Sequence, residues 1–255
     1  MLERKPVSKK PRLMTSLLVS LLIIIAVVLP TSNHQAIIKR WPQTQVQKLV
    51  ATAVVVFAVD DSQEWVGAGV IIDKKGTILT AAHVVAGLPS PVINIKVLEG
   101  TTYSCERIAF DSQRDLGLVR ILNSAQNFPY ARVQKSNYCR VGQDLLVIGN
   151  PLELYWTVTQ GIISRIWCYV PTLSWRFDTD ALVNRGNSGG PAFNDKGEVV
   201  GIISAMHIDY RGRPTGIGIA IPITEIHKFL KNSEEQLNKP WPKPRLRIGD
   251  SKNAV

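Results

Sequence analysis

A serine hydroxyl is a poor nucleophile at neutral pH. It becomes an effective one beside a base that takes its proton, and that base needs a carboxylate to fix its tautomer and stabilise its cation. The chain offers one string for each role: Thr80-Ala81-Ala82-His83-Val84-Val85, Asp115-Leu116-Gly117-Leu118 and Gly186-Asn187-Ser188-Gly189-Gly190-Pro191. Each lies in apolar or glycine-rich surroundings, and His, Asp, Ser is one of the few chain orders in which such a set recurs. The chemistry expected of it is acyl transfer, with Ser188 as nucleophile, His83 as general base and Asp115 as its orienting acid. The glycines have a mechanical purpose: attack on a carbonyl makes an oxyanion, and backbone N–H groups, here those of Gly186 and Ser188, must reach it without a side chain in the way.

Each candidate has rivals. Of the other three histidines, His34 falls in a polar tether, His207 in an expected polar loop and His227 in an expected helix, whereas His83 stands at a strand end beside Ala81 and Ala82. Asp111 competes with Asp115, but it opens the turn-like string Asp-Ser-Gln-Arg, while Asp115 opens an apolar strand. Gly186 to Gly190 also fits the G-x-S-x-G pattern of esterase nucleophile elbows. That fold needs a helix after the serine and an acid and histidine downstream; Asp209 and His227 could be offered, but Pro191-Ala192-Phe193 reads as a strand.

The elements that must position these residues are short, β-branched and separated by turn signals. Strands are expected at 54–59, 65–72, 77–81, 92–98, 101–110 and 116–121, then, after a polar bridge at 123–138, at 144–148, 156–166, 174–179, 191–193, 199–205 and 216–221. Six strands in each half predict an all-β fold of two small barrels, about 52–122 and 139–222. A helix at 44–51, with Thr44 and Gln47 at capping-box spacing, leads in, and an amphipathic helix near 223–231 closes the domain. His83 and Asp115 fall in the first half and Ser188 in the second, so the site must form between the halves. Tyr155, Trp156, Trp167, Tyr169 and Trp175 cluster in sequence; core packing is the simpler reading, and a membrane or oligomer face the other.

The net charge of +10 sits mostly at the ends: residues 1–12 hold five Lys/Arg against one Glu, and residues 231–255 hold six against three acids. No basic stripe with interleaved aromatics runs through the body, which argues against a nucleic-acid partner. After the basic residues 1–12 comes an uncharged run, 13–30, long enough for a helix to cross a bilayer. It lacks an Ala-x-Ala cleavage site and is expected to be an uncleaved signal anchor, with the N-terminus cytoplasmic and the rest, after a linker at 31–43, extracytoplasmic, periplasmic or extracellular. The tail, 233–255, is basic and Pro-containing. Cys105, Cys139 and Cys168 show neither CxxC nor Cys/His spacing, so no metal site is expected, nor any cofactor, and at most one disulfide could form.

Taken in register, these strings resemble the trypsin-like serine proteases, and within them the HtrA/Deg group. The likeness runs over residues 44–232 and includes Gly67-Ala68-Gly69-Val70-Ile71, Gly76 to Val85, Ile148-Gly149-Asn150-Pro151, Thr157 to Ser164, Thr179-Asp180-Ala181, Gly186 to Pro191 and Gly216 to Pro222. The resemblance implies a chymotrypsin-type double barrel, an endopeptidase acting on protein or peptide substrates, and an oxyanion hole at Gly186, Asn187 and Ser188. It also implies a substrate groove lined by Val183, Asn184, Arg185, Ile203, Ser204 and Ala205, and it allows a homo-oligomer. Three departures stand out. Asn187 replaces the Asp that pairs with a freed N-terminus in zymogen-activated relatives, no PDZ domain is expected after the closing helix, and the loop between Ile166 and Phe177 is short for family-style loop activation.

Overall fold

The computed structural model describes residues 41–59, 64–86, 92–122 and 125–235. The expected anchor at 13–30 and the basic segment before it lie outside the described residues, as does the tail from 236 onward. Among the described residues no helix is long and apolar enough to cross a membrane.

The first six strands are β1 (Ala53–Val59), β2 (Glu64–Ile71), β3 (Thr77–Thr80), β4 (Val92–Lys96), β5 (Thr102–Asp111) and β6 (Leu116–Ile121). They close into an antiparallel barrel of order β1-β2-β3-β6-β5-β4, sealed by β1 against β4. Alternation along the strands sets the inside: Val54 and Val56, Ile93 and Ile95, and Val119 and Ile121 share one buried cluster, as period-two pleating requires. Each such side chain taken from water contributes about 1.5–3 kcal/mol.

The second barrel uses β8 (Asp144–Gly149), β9 (Thr157–Tyr169), β10 (Ser174–Thr179), β11 (Pro191–Phe193), β12 (Glu198–Ile208) and β13 (Pro214–Pro222). Its order is β11-β8-β9-β10-β13-β12, closed by β11 against β12, and a two-residue strand, β7 (Arg132–Val133), adds in parallel to β12. Leu145, Val147, Ile163, Phe177, Val200, Ile203 and Ala220 fill it. Among the described residues three α-helices complete the domain: α1 (Gln43–Val50), α2 (Ala82–Ala86) and α3 (Ile223–Asn232). The expected all-β double barrel with a closing helix is therefore what forms.

Several local expectations need correction. The Thr44 capping box does not form: α1 starts one residue earlier, because Pro42 fixes an extended backbone and its carbonyl accepts from the amides of Gln45 and Val46. The strand expected to end at Ile166 runs on to Tyr169, so the connection before β10, which starts at Ser174 as expected, shortens to a turn at 170–173 with Leu173 at φ +51°. His207 is on β12, not in a loop. The aromatic cluster does not pack in the core: Tyr155, Tyr169 and Trp175 are exposed, and the indole N–H groups of Trp156 and Trp167 donate to the Ala53 carbonyl and to Asp178.

Candidate active site

His83 stands second in α2, a single turn begun where β3 ends, and not at the strand end itself. The Ala81 carbonyl accepts from the Val84 amide at 3.2 Å, so the small residues let the chain turn sharply there. Across the barrel, the hairpin from β5 to β6 brings Asp115 up against it. The imidazole Nδ1 lies 2.9 Å from both Asp115 oxygens, and the His83 amide also donates to Oδ1 at 3.0 Å. Asp111, the rival acid, accepts from the amides of Gln113 and Arg114 and from the Arg114 guanidinium. It caps its own turn.

The hydrogen bond from Asp115 holds the His83 imidazole above its ordinary pKa, against the opposing pull of burial and with help from the acid's charge. Burial pushes the Asp115 carboxyl up, yet the His83 hydrogen bond and charge, the Ser204 hydroxyl and the His83 amide together bring it below the usual carboxylate range. A carboxylate facing Nδ1 requires the proton there. Nε2 is therefore left as the basic nitrogen.

The turn that carries Ser188 is docked on the barrel that holds this pair. The Ala68 amide donates to the Ser188 carbonyl at 2.8 Å. Gly189 is pressed so closely against β2 and β3 that a Cβ would sit 2.1 Å from the Ala68 carbonyl oxygen and 2.2 Å from Thr80 Oγ1. No other residue allows that approach. The Ser188 hydroxyl donates to the Ser204 carbonyl at 3.3 Å.

Gly186, at φ +94°, has its Cα face against Asn150, whose carbonyl oxygen would be 2.1 Å from an added Cβ. Backbone bonds from Leu152 to the Arg185 carbonyl (3.0 Å) and from Asn150 to the Gly186 carbonyl (3.3 Å) turn both oxygens toward the 150–152 segment. Asn150 is buried, and its side chain donates to the carbonyls of Gly67 and Val54 and accepts from the Trp156 amide. Among the described residues, the Gly186 and Ser188 amides have no acceptor, while the Asn187 amide donates to the Asn184 carbonyl at 3.1 Å and its side chain is buried beneath Gly149. The turn thus presents two of its three amides.

The remaining expected residues divide. Val183 is buried in the second barrel's core, packed against Gly218, and Ile203 is wholly buried, so neither offers surface to a ligand. Asn184 accepts from the Arg185 amide through its own side chain, and Arg185 is exposed beside the turn. Ala205 is exposed on β12. Ser204 does more than line a groove: its hydroxyl donates to Asp115 Oδ2 at 2.5 Å. The sequence carried one sign of this, a lone hydroxyl in the apolar run Ile202-Ile203-Ser204-Ala205. Nothing in it pointed to Asn150 as the tie among both barrels and the glycine turn. The esterase alternative fails on architecture, because β11 follows Ser188 where an elbow needs a helix.

A glycine-rich serine turn of one antiparallel barrel, docked on a second barrel that carries a His–Asp pair, is an arrangement found in double-barrel serine hydrolases. Comparison with known proteins narrows that class: the family model "Trypsin-like peptidase domain" matches residues 67–202, more than half of the chain, and the chain belongs to that family. It is homologous to HtrA-type serine proteases. It is 40% identical over 173 residues to a Synechocystis protein named for serine protease activity, HhoA, covering 66% of this chain and 42% of that protein. To the mitochondrial serine protease HTRA2 of Drosophila willistoni it is 35% identical over 179 residues, 68% of this chain and 39% of that one. The chain thus spans less than half the length of these relatives. Among solved structures, an HtrA-type protease AlgW variant with a tripeptide superposes with a TM-score of 0.66 at 29% identity, over 74% of this chain and 62% of that chain. A serine endoprotease from Yersinia pestis does so with 0.64 at 31%, over 75% and 65%.

Proposed function

We propose that this chain is a serine endopeptidase, held at a membrane by residues 13–30, that cuts extracytoplasmic proteins or peptides. The observation that carries the catalytic part is the Asp115 carboxylate, which receives His83 Nδ1 at 2.9 Å and the Ser204 hydroxyl at 2.5 Å. It fixes the imidazole in the tautomer a general base requires. Support for the location comes from the basic residues 1–12 ahead of the uncharged run.

In this reading Ser188 Oγ attacks the scissile carbonyl carbon while His83 Nε2 takes its proton, and Asp115 stabilises the resulting imidazolium. The Gly186 and Ser188 amides receive the oxyanion. As the C–N bond breaks, His83 gives its proton to the departing amine, leaving an ester on Ser188. Water, deprotonated by His83, then hydrolyses that ester. The substrate has a strand to lie on: β11 covers β12 only as far as Ile202, where Pro191 pairs, and the Gly190 carbonyl takes the Ile203 amide. Beyond Ile203, the edge at Ser204 and Ala205 can receive an extended peptide by strand addition. A peptide-bound relative of the HtrA type fits this reading.

The test uses the full chain in detergent beside Ser188→Ala, each with an unfolded protein substrate and with a fluorophosphonate probe. Cleavage and labelling present in the parent and absent from the variant are expected. Labelling that persists in the variant, or a folded parent that neither cleaves nor labels, would overturn the proposal.

A further inference from the structure

The acid of the triad is held in an unusual backbone. Asp115 has φ +61°, a left-handed conformation that residues with a Cβ rarely adopt. It follows Arg114, which is fastened on every side. The Arg114 amide donates to Asp111 Oδ1 at 2.9 Å and its Nη1 to Asp111 Oδ2 at 2.6 Å. Its Nε donates to Glu225 Oε2 at 3.0 Å, and its carbonyl accepts from Arg176 Nη2 at 3.2 Å. Glu225 and Arg176 both belong to the second barrel, in the first turn of α3 and on β10. Both are buried, Glu225 with 1% of its side chain exposed. The other Glu225 oxygen takes Lys228 Nζ at 2.8 Å, and Arg176 Nη1 is held by Ser174 Oγ and the Trp175 carbonyl.

A carboxylate is a costly choice for that place on α3. Ile223, Ile226 and Phe229 bury the same helix, and Glu225 lies one turn before Phe229, where an apolar side chain would bury without desolvating a charge. A buried ion pair stabilises a fold poorly against apolar residues of similar volume, but it fixes direction and distance.

We propose that the Arg114–Glu225 pair is a positioning device for the active site, through which α3 of the second barrel sets the angle at which Asp115 meets His83. The inference rests on the reading of His83, Asp115 and Ser188 as a triad. Both residues act through their neighbours. Among the charged groups nearby, His83 on α2 contacts Asp115 and Arg176 on β10 interacts with its charge, while Asp111 and Arg114 in its own turn and Glu225 with Lys228 on α3 pair among themselves.

The test compares the full chain with Glu225→Leu, which leaves the guanidinium held by Asp111 alone, and with the double variant Arg114→Met/Glu225→Leu, which replaces the whole pair. Peptide hydrolysis is followed against pH, thermal unfolding is recorded, and the His83 titration is read by NMR on histidine-labelled protein carrying Ser188→Ala. The expected result is a kcat lowered about 10- to 100-fold with KM within about threefold in both variants. The acid limb of the profile and the His83 midpoint should move to lower pH together, while the double variant melts no lower than the parent. Parent kcat and an unmoved His83 midpoint in the stable double variant would overturn the inference and leave the protease reading standing. A folded parent without hydrolysis would sink the protease reading, and the His83 midpoint alone would then decide whether the pair positions Asp115.

Discussion

The Ser204 hydroxyl on β12 meets Asp115 Oδ2 at 2.5 Å, while the carbonyl of the same residue accepts the Ser188 hydroxyl at 3.3 Å. One residue of the second barrel therefore touches the acid of the first barrel and the serine of its own. Ser204→Ala removes a hydrogen bond to a charged group, worth about 1.5–3 kcal/mol. The expected outcome is a kcat/KM lowered by roughly an order of magnitude with the fold retained, measured on a chromogenic peptide beside a circular dichroism spectrum.

Gly186→Ala should be far more damaging to activity than to folding. A methyl group there would lie 2.1 Å from the Asn150 carbonyl at a backbone with φ +94°, so the turn must move and carry the Gly186 amide away. Loss of one oxyanion donor costs about 10²–10³ in kcat. Strain of roughly 1–3 kcal/mol should appear as a modest fall in Tm. Full activity in the variant would show that this amide does not serve the oxyanion.

The pH dependence follows from His83. Only the neutral imidazole can accept a proton, and Asp115 raises its pKa above the ordinary value of 6.5. The acid limb of kcat/KM should therefore lie above about pH 6.5, and Asp115→Asn should shift it down while slowing the reaction by about 10⁴. The same pairing has a stability signature. A raised folded-state pKa of His83 contributes stability that is fully present below the unfolded pKa and fades as pH rises through the folded one. The depressed pKa of Asp115 contributes stability present above its unfolded value and lost as pH falls through the folded one. Chemical denaturation across pH 3–9 would show both flanks, and Asp115→Asn should flatten them.

Cys105 gives a check independent of catalysis. It is wholly buried in the first barrel, and burial pushes its thiol up to about 12. It should resist a thiolate-directed reagent in the native chain and react on unfolding, as mapped by mass spectrometry. Cys105→Ser, which places a hydroxyl in an apolar core, should cost about 1–3 kcal/mol.

Much of this was legible in the sequence for simple reasons. Period-two alternation with turn signals locates a strand by itself, so β6, β10 and β11 fall where Leu116, Ser174 and Pro191 indicated. The strings around His83, Asp115 and Ser188 stand out because they combine rare residue types in fixed order, and the structure sets His83 against Asp115. What escaped depends on contacts between distant segments. Ser204 is an ordinary hydroxyl until Asp115, 89 positions away, is brought to it. Glu225 reads as a solvated helix residue until Arg114, 111 positions away, lies against it. The end of β9 escaped for another reason: the expected strand stops at Ile166, yet Trp167, Cys168 and Tyr169 pair across with Arg176, Trp175 and Ser174 and carry the ladder on to the turn at 170–173.

On the proposed protease reading, the division of the site between the barrels also bears on when the chain becomes active. β1 to β6 bring His83 to Asp115, and domains made first during synthesis can fold first, but Ser204 and Glu225 reach Asp115 and Arg114 only from the second barrel. Ser188 is added later, and it is seated only when its carbonyl finds Ala68 and when Ser204 reaches Asp115. On that reading a half-made chain carries a base with nothing to activate, and the site is assembled last, at the docking of the two barrels.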